Sequence, residues 1–474
     1  SNKRRPPTIR WITPNATPFA PLAAPDRLAA GDSLSRLSEM VGQYLHQDGV
    51  VRISGVVTEI FSTHLRVAGL GTFVSLGDCV RIEDGARVFI GQVIRIDCDG
   101  VAVKPFENHV GIGTGARVYR LGPFEIAPDP AWKGRVLNSF AAPVDDRGAL
   151  RNGRSYRIVD ASPPRAMSRA RIHRPAPTGV CVVDVFTPLC QGQRIGVFAG
   201  SGVGKSTLLA MMSRSTAFDA VVICLVGERG REVRDFLDDV LGDHAQTAVT
   251  VVATSDESPM MRRLAPLTAM SIAEFFRDRG ESVLLIMDSV TRYAHALREI
   301  ALASGEPAVA NGYTPSVFAD LPCLLERAGP GDEGAGAITA IFSVLVDADN
   351  HNDPIADCIR GTLDGHLVLD RDIAEQGRYP AINVLKSISR LADRVWSNDQ
   401  RSLAARYRAM IARFEDTRDL RLLGGYQSGV DPVLDRAVEL TPRLYSLLKQ
   451  TPRDPSIPDA FAKLGANLPA VPAE

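Results

Sequence analysis

Hydrophobic positions change their spacing along the chain, and each change predicts a different architecture. Leu34, Leu37, Val41 and Leu45 recur at helical spacing behind Asp32 or Ser33, which predicts a short, capped amphipathic helix. From Val50 to about Leu121 the texture turns to short alternating strands broken by glycine, such as Val50–Val57, Leu65–Val67, Val88–Asp97 and Val101–Pro105. Evenly spaced strands with glycine turns predict a small antiparallel β-barrel. Pro163, Pro164, Pro175 and Pro177 then punctuate a connector. Beyond it, strands alternate with helices, the pattern of a parallel α/β sheet. Arg194–Phe198, Val221–Val226, Ala248–Ala253, Ser282–Met287 and Ala337–Val346 read as strands, and Lys205–Ser213 and Gly230–Leu241 as helices. In the second helix Val233, Phe236, Leu237, Val240 and Leu241 share a face. Strand signals stop near Leu385, and Asp399–Asp416 and Pro432–Lys449 read as long helices before a proline-bearing tail. The predicted division is a tail and helix (1–45), a barrel (46–121), an α/β core (122–384) and a helical C-terminal domain (385–474).

Composition narrows the class. Six prolines between positions 6 and 25 make the start an extended tail. The 54 basic and 55 acidic residues leave a net charge of −1, so nucleic-acid binding would need a local basic face. The barrel aromatics Phe61, Phe73, Phe89 and Phe106 are dispersed, unlike an RNA-stacking platform, and no nucleic-acid partner is expected. Seven scattered cysteines without a Cys-x-x-Cys pair read as reduced cytosolic thiols. No apolar run approaches the ~20 residues of a membrane span. Ser1–Arg10 is basic but leads into prolines rather than an apolar signal core. A collagen, a membrane-spanning chain and a secreted disulfide scaffold are excluded.

The strongest chemical signal is Ala199-Gly200-Ser201-Gly202-Val203-Gly204-Lys205-Ser206 between a strand and a helix. It departs from the strict phosphate-loop pattern only in having Ala199 at the first glycine position. Glycines free the backbone amides to wrap phosphate oxygens, and the helix start adds its positive dipole end. Gly200 to Gly204, Lys205, Ser206 and Thr207 form the predicted cradle for ATP. Lys205, one of seven lysines in the chain, reaches the β- and γ-phosphates, and the Ser206 hydroxyl ligates Mg²⁺. Asp288, ending the apolar strand Val283–Met287, is placed to join the magnesium shell. Glu228, ending the strand Val221–Val226, is placed to polarise a water, with Arg229 beside it to steady charge. Arg231 and Glu232 read as a solvated helix face. Gly111-Ile112-Gly113-Thr114-Gly115 lacks the strand-to-helix context and reads as a turn. Asp347, Asp349, His351 and Asp353 alternate like a calcium loop, but Asn352 and Cys358 occupy positions needing glycine and glutamate.

The phosphate loop, Gly227-Glu228-Arg229-Gly230-Arg231-Glu232, Asp288-Ser289-Val290-Thr291-Arg292 and Gly312-Tyr313-Thr314-Pro315-Ser316-Val317-Phe318 together resemble segments of one family. So do Gly134–Asn138, Glu326–Gly329, Leu363–His366, Gly377–Ala381 and Ser387–Arg390. The chain resembles, from about residue 35 to 450, the type III protein-export ATPases, relatives of the rotary ATP synthase catalytic subunit. Ala199 also occurs in that family's loop. The resemblance implies a multidomain protein with an N-terminal β-barrel, a RecA-like P-loop ATPase core and an α-helical C-terminal domain. It implies a homohexamer with nucleotide at subunit borders, where Arg360 reaches a neighbour's γ-phosphate. It further implies that Tyr379, with Tyr426 as a second wall, holds adenine.

The tail, the following helix and the Asp416–Tyr426 segment (from Glu415 and Asp416 onward) resemble flagellar members; a virulence secretion ATPase is the alternative. Expected partners are a stator-like regulator on the N-terminal segment, a central-stalk protein, export-gate membrane proteins and chaperone–substrate complexes. The expected location is cytoplasmic, peripheral to the inner membrane at the export apparatus. An RNA-translocating hexameric helicase shares the ring and core but would need the missing RNA platform. A proton-driven rotary subunit would work beside a second subunit type, whereas Glu228 and Arg360 on one chain suffice for identical copies.

Overall fold

The computed structural model describes residues 53–107, 111–237, 246–346 and 353–469. The expected helix at Leu34–Leu45, its proline-rich tail and Asp347–Asn352 lie outside the described residues. Two compact units result: one ends at Gly122, and the other runs from Pro123 onward and takes in Phe106.

The first unit is a closed barrel of β1 (Ser54–Ile60), β2 (Leu65–Ala68), β3 (Cys79–Asp84), β4 (Arg87–Asp97), β5 (Gly100–Pro105) and β6 (Arg117–Gly122). Its strands follow the order β1-β2-β5-β4-β3-β6. Alternation drives closure: Val57, Leu65, Val67, Ile82, Val101, Val103 and Val118 point inward and are fully buried. Among the described residues the first strand starts at Ser54, and it runs to Ile60 because Ile60 still pairs with Leu65; Val50 lies outside the described residues. The Gly111–Gly115 segment is the turn the sequence predicts. Its amides serve the barrel, Gly113 N donating to Asp84 Oδ2 (2.8 Å) and Gly115 N to Val57 O (2.8 Å).

The second unit begins with β7 (Glu125–Ile126), β8 (Val136–Asn138) and β9 (Arg157–Ile158). Then come α1 (Cys181–Phe186), β10 (Arg194–Ala199), α2 (Lys205–Ser213), β11 (Ala220–Glu228), α3 (Gly230–Asp235), β12 (Ala248–Thr254), α4 (Pro259–Asp278), β13 (Ser282–Asp288), α5 (Val290–Ala303) and α6 (Pro315–Arg327). After β14 (Gly329–Pro330) follow β15 (Ala337–Leu345), α7 (Pro354–Thr362), β16 (Gly365–Val368), β17 (Ile388–Ser389), α8 (Asn398–Asp416), α9 (Pro432–Leu448) and α10 (Ala460–Asn467). The main sheet has the order β17-β16-β10-β15-β13-β11-β12-β8, with β14 pairing β15. From β16 to β8 its neighbours are parallel, so the carboxyl ends of those strands share one edge.

Two expectations are corrected. The sheet continues past Leu385, because Ile388 and Ser389 pair antiparallel with His366 and Gly365. The proline-bearing tail contains α10, capped by Asp459, whose Leu464 is fully buried. The C-terminal helices are not self-contained: Tyr407, Met410, Ala437, Leu440, Leu444 and Leu464 join one apolar core with α1 and α2.

A buried ion pair ties α4 to the end of α6. Arg327 donates to both oxygens of Glu274 (2.9 and 2.8 Å) and to Val159 O (2.9 Å), and both side chains are almost wholly buried. Deleting one partner strands a charge, so Glu274→Ala is expected to cost about 3–5 kcal/mol, while an apolar pair of similar volume recovers most of it. A melting temperature clearly lowered in Glu274→Ala and regained in Glu274→Leu/Arg327→Met is the result to look for.

Candidate functional site

Strand β10 delivers Gly200 to the sheet's carboxyl edge and α2 leaves from Lys205. The turn between them needs a left-handed residue as helix cap, and Gly204 supplies it at φ +90°. Val203 is buried and anchors the loop, while Ser201, Gly202, Ser206 and Thr207 stay exposed at its mouth. A Cβ on Gly204 would lie 3.4 Å from the Tyr379 ring, so Tyr379, 43% exposed, stands against the loop.

Parallel packing brings two carboxylates to the same edge. In register, Leu225 of β11 is opposite Asp288 of β13, and Met287 is opposite Phe342 of β15. Lys205 Nζ donates to Asp288 Oδ1 at 2.6 Å and stands 4.0 Å from Glu228 Oε1. Ser343 Oγ, fully buried on β15, donates to the same Asp288 oxygen at 2.9 Å. One ammonium thus stands between two carboxylates. Glu228 is pushed up to about 7, first by burial and then by the charge of Asp288, with Lys205 opposing.

Sequence reasoning missed Ser343, one of two hydroxyls in an otherwise apolar strand, which the β13–β15 register brings to Asp288. It also gave no role to Arg292, quoted only within its motif. Gly227 has φ +69°, and a Cβ there would press within 3.1 Å of the Arg292 stem, so that stem lies against Gly227, the residue before Glu228.

Three nominated residues lie apart from the cluster. Arg229 caps α3 with extended backbone, which turns its side chain out; it is 83% exposed and only 4.0 Å from Glu232. Arg360, in the last turn of α7, sits over the Phe198 ring at 4.8 Å, and its buried Nε has no hydrogen-bond partner among the described residues. Its described contacts reach none of Lys205, Glu228 and Asp288. Tyr426 gives its hydroxyl to Asp435 of α9 at 2.7 Å, and no described hydrogen bond or ring contact joins it to Tyr379 or the phosphate loop.

The donor set suits a nucleoside triphosphate with magnesium: free loop amides, an ammonium, an exposed Ser206 hydroxyl and a buried carboxylate. Hard oxygen ligands few in number, completed by phosphates and water, are what Mg²⁺ takes. No cluster of three or more His, Cys, Asp or Glu side chains exists among the described residues, and this mode of binding needs none.

A glycine loop between strand and helix, with carboxylates converging on its lysine at the carboxyl edge of a parallel sheet, defines a nucleotide-binding ATPase core. Residues 179–389 match the ATP synthase alpha/beta family, nucleotide-binding domain, and residues 396–465 the T3SS EscN ATPase C-terminal domain. The chain belongs to the type III protein-export ATPase family. It is 53% identical to a flagellum-specific ATP synthase of Agrobacterium fabrum, over 93% of either chain. A type 3 secretion system ATPase of Xanthomonas euvesicatoria is 44% identical over 85% of this chain and 90% of its own. The assembled EscN ATPase of the enteropathogenic E. coli type III secretion system superposes with TM-score 0.81 at 39% identity, covering 86% of this chain and 98% of EscN. EscN has also been seen with its central stalk EscO, at TM-score 0.79.

Proposed function

We propose that this protein hydrolyses ATP with magnesium to energise export of flagellar proteins through a type III apparatus. The observation carrying the chemistry is Lys205 held 2.6 Å from Asp288 and 4.0 Å from Glu228 at the mouth of the glycine loop. The flagellar assignment rests on 53% identity to the Agrobacterium flagellum-specific protein, against 44% for the Xanthomonas secretion ATPase.

The loop amides and Lys205 bind the phosphates, with Lys205 exchanging Asp288 for the β- and γ-phosphate oxygens. Ser206 and the Asp288 shell would hold magnesium, which would supply charge neutralisation at the phosphates. Ser343 holds Asp288 in one rotamer. Glu228 accepts a hydrogen bond from the attacking water and orients it in line with the γ-phosphate. Arg292, its stem against Gly227, steadies local charge, and Arg229 is free to swing inward. Tyr379 stacks on adenine; Tyr426 is the weaker wall, being engaged with Asp435.

Arg360, free of its own chain's cluster, completes a neighbour's pocket. The working form is therefore a homohexamer, as the assembled state of EscN supports. The EscN–EscO pair supports a central-stalk partner. A stator-like regulator on the N-terminal segment, export-gate proteins and chaperone–substrate complexes complete the apparatus. No described helix is long and apolar enough to cross a membrane; the protein works on the cytoplasmic side, peripheral to the inner membrane.

Glu228→Gln tests the reading. It is expected to keep ATP binding while lowering turnover by roughly 10²–10⁴, the usual worth of a positioned base. The carboxylate form of Glu228 grows as pH rises through about 7, so wild-type kcat/KM is expected to climb over that range. Phosphate release at wild-type rates in the variant would move the base elsewhere.

A further inference from the structure

The segment carrying Tyr379 is not held by close packing alone. Between residues 370–386 and the C-terminal helices lies a cavity of about 200 Å³, lined among others by Asp370, Arg378, Lys386, Glu415 and Tyr445. Three of those groups close on one another at its rim. The Arg378 guanidinium lies over the Tyr445 ring, 3.9 Å from its centroid. The Tyr445 hydroxyl donates to Glu415 Oε1 at 2.6 Å, and Arg378 stands 3.9 Å from that same oxygen. Burial and the Glu415 charge push the Tyr445 phenol up, which keeps it a donor. Glu415 belongs to α8 and Tyr445 to α9, so a residue adjacent to Tyr379 is clamped to both long C-terminal helices. The backbone repeats the link, since Gln450 N, just beyond α9, donates to Tyr379 O at 3.0 Å. On the opposite side the Tyr379 ring meets Gly204 of the phosphate loop.

We propose that Arg378 is a positioning residue which, through Tyr445 and Glu415, holds the Tyr379 ring in place for the purine. Recognition of the base then depends on how α8 and α9 pack, while recognition of the phosphates does not. The inference rests on Tyr379 being an adenine wall. It gives the C-terminal helices a handle on nucleotide affinity that bypasses the hydrolytic residues.

Inorganic tripolyphosphate separates the two kinds of recognition, because it offers phosphates without a base. In the full-length protein, Arg378→Ala is expected to raise KM for ATP about tenfold, from the loss of a desolvated cation–π contact and its ion pair. Its kcat is expected to stay within about twofold, as for loss of uniform binding. Competitive inhibition by tripolyphosphate is expected to be unchanged, and Arg378→Lys, which keeps a cation over the ring, to recover much of the loss. Should Arg378→Ala not fold, Arg378→Gln is read the same way. An unchanged KM, an equal weakening of ATP and tripolyphosphate, or no recovery in Arg378→Lys would overturn the proposal. Tyr379→Ala is measured alongside. If it raises KM and Arg378→Ala does not, the clamp fails and the adenine wall stands. If neither does, the adenine reading fails and takes the clamp with it.

Discussion

Lys205→Ala is expected to abolish ATP turnover. Its ammonium is buried between two carboxylates, 2.6 Å from Asp288 and 4.0 Å from Glu228. Removing it acts twice. The β- and γ-phosphates lose their point charge, which by comparison with single transition-state donors costs at least roughly 10²–10³ in rate. Burial and the Asp288 charge, which already push Glu228 up, then act without the opposing ammonium and favour its protonated form. A protonated Glu228 cannot take a proton from the attacking water, so the two losses compound. Lys205→Arg is expected to be nearly as inactive, because a planar fork does not replace a compact ammonium. Colorimetric phosphate release at background level in both variants is the predicted outcome; wild-type rates would remove Lys205 from the mechanism.

Arg360→Ala is expected to leave nucleotide binding by the isolated subunit nearly intact and to lower hydrolysis by roughly 10³–10⁵, the worth of an arginine finger. The guanidinium lies over Phe198 of β10, with its Nε unpartnered among the described residues, while Lys205, Glu228 and Asp288 are satisfied without it. None of the described contacts of that cluster involves Arg360, so the role proposed for it is to meet charge developing on a neighbour's γ-phosphate. Activity is then expected to rise steeply with protein concentration as rings form. Mixing Arg360→Ala with Glu228→Gln subunits creates some borders where an intact Glu228 meets an intact Arg360, and activity should partly return there. Mixed rings that form yet stay inactive would refute action in trans, unless all sites must fire together. Titrating each mutant into wild type separates those cases, since concerted rings lose activity far faster than the mutant fraction grows.

Much of this was legible in the residue pattern because it is local. Helix α2 runs over Lys205–Ser213 as read, since the left-handed Gly204 fixes its start sharply. The barrel followed from period-two alternation, and the turn at Gly111–Gly115 from its lack of strand-to-helix context. Boundaries moved where pairing outlasts local signal, as at Ile60 against Leu65. Ile388–Ser389 is too short for any periodicity to register, yet the exposed edge of β16 recruits it. The helix at Ala460–Asn467 was hidden by flanking prolines and exists because Leu464 finds the core shared with α1 and α2.

The sequence by itself marked the groups proposed for the chemistry: a loop whose glycines permit its backbone, a lysine and hydroxyl at a helix start, and carboxylates closing apolar strands. Such features depend on neighbours a few residues away, and the chain carries them openly. Only the tertiary structure decided which distant groups meet. Lys205 and Asp288 are 83 residues apart, and the parallel order β10-β15-β13-β11 places them within a hydrogen bond. The same order gives Ser343 its place, turns Arg360 onto Phe198 and leaves Arg378 within reach of two helices. Strand order is set by the summed burial of whole faces, so no single segment encodes it.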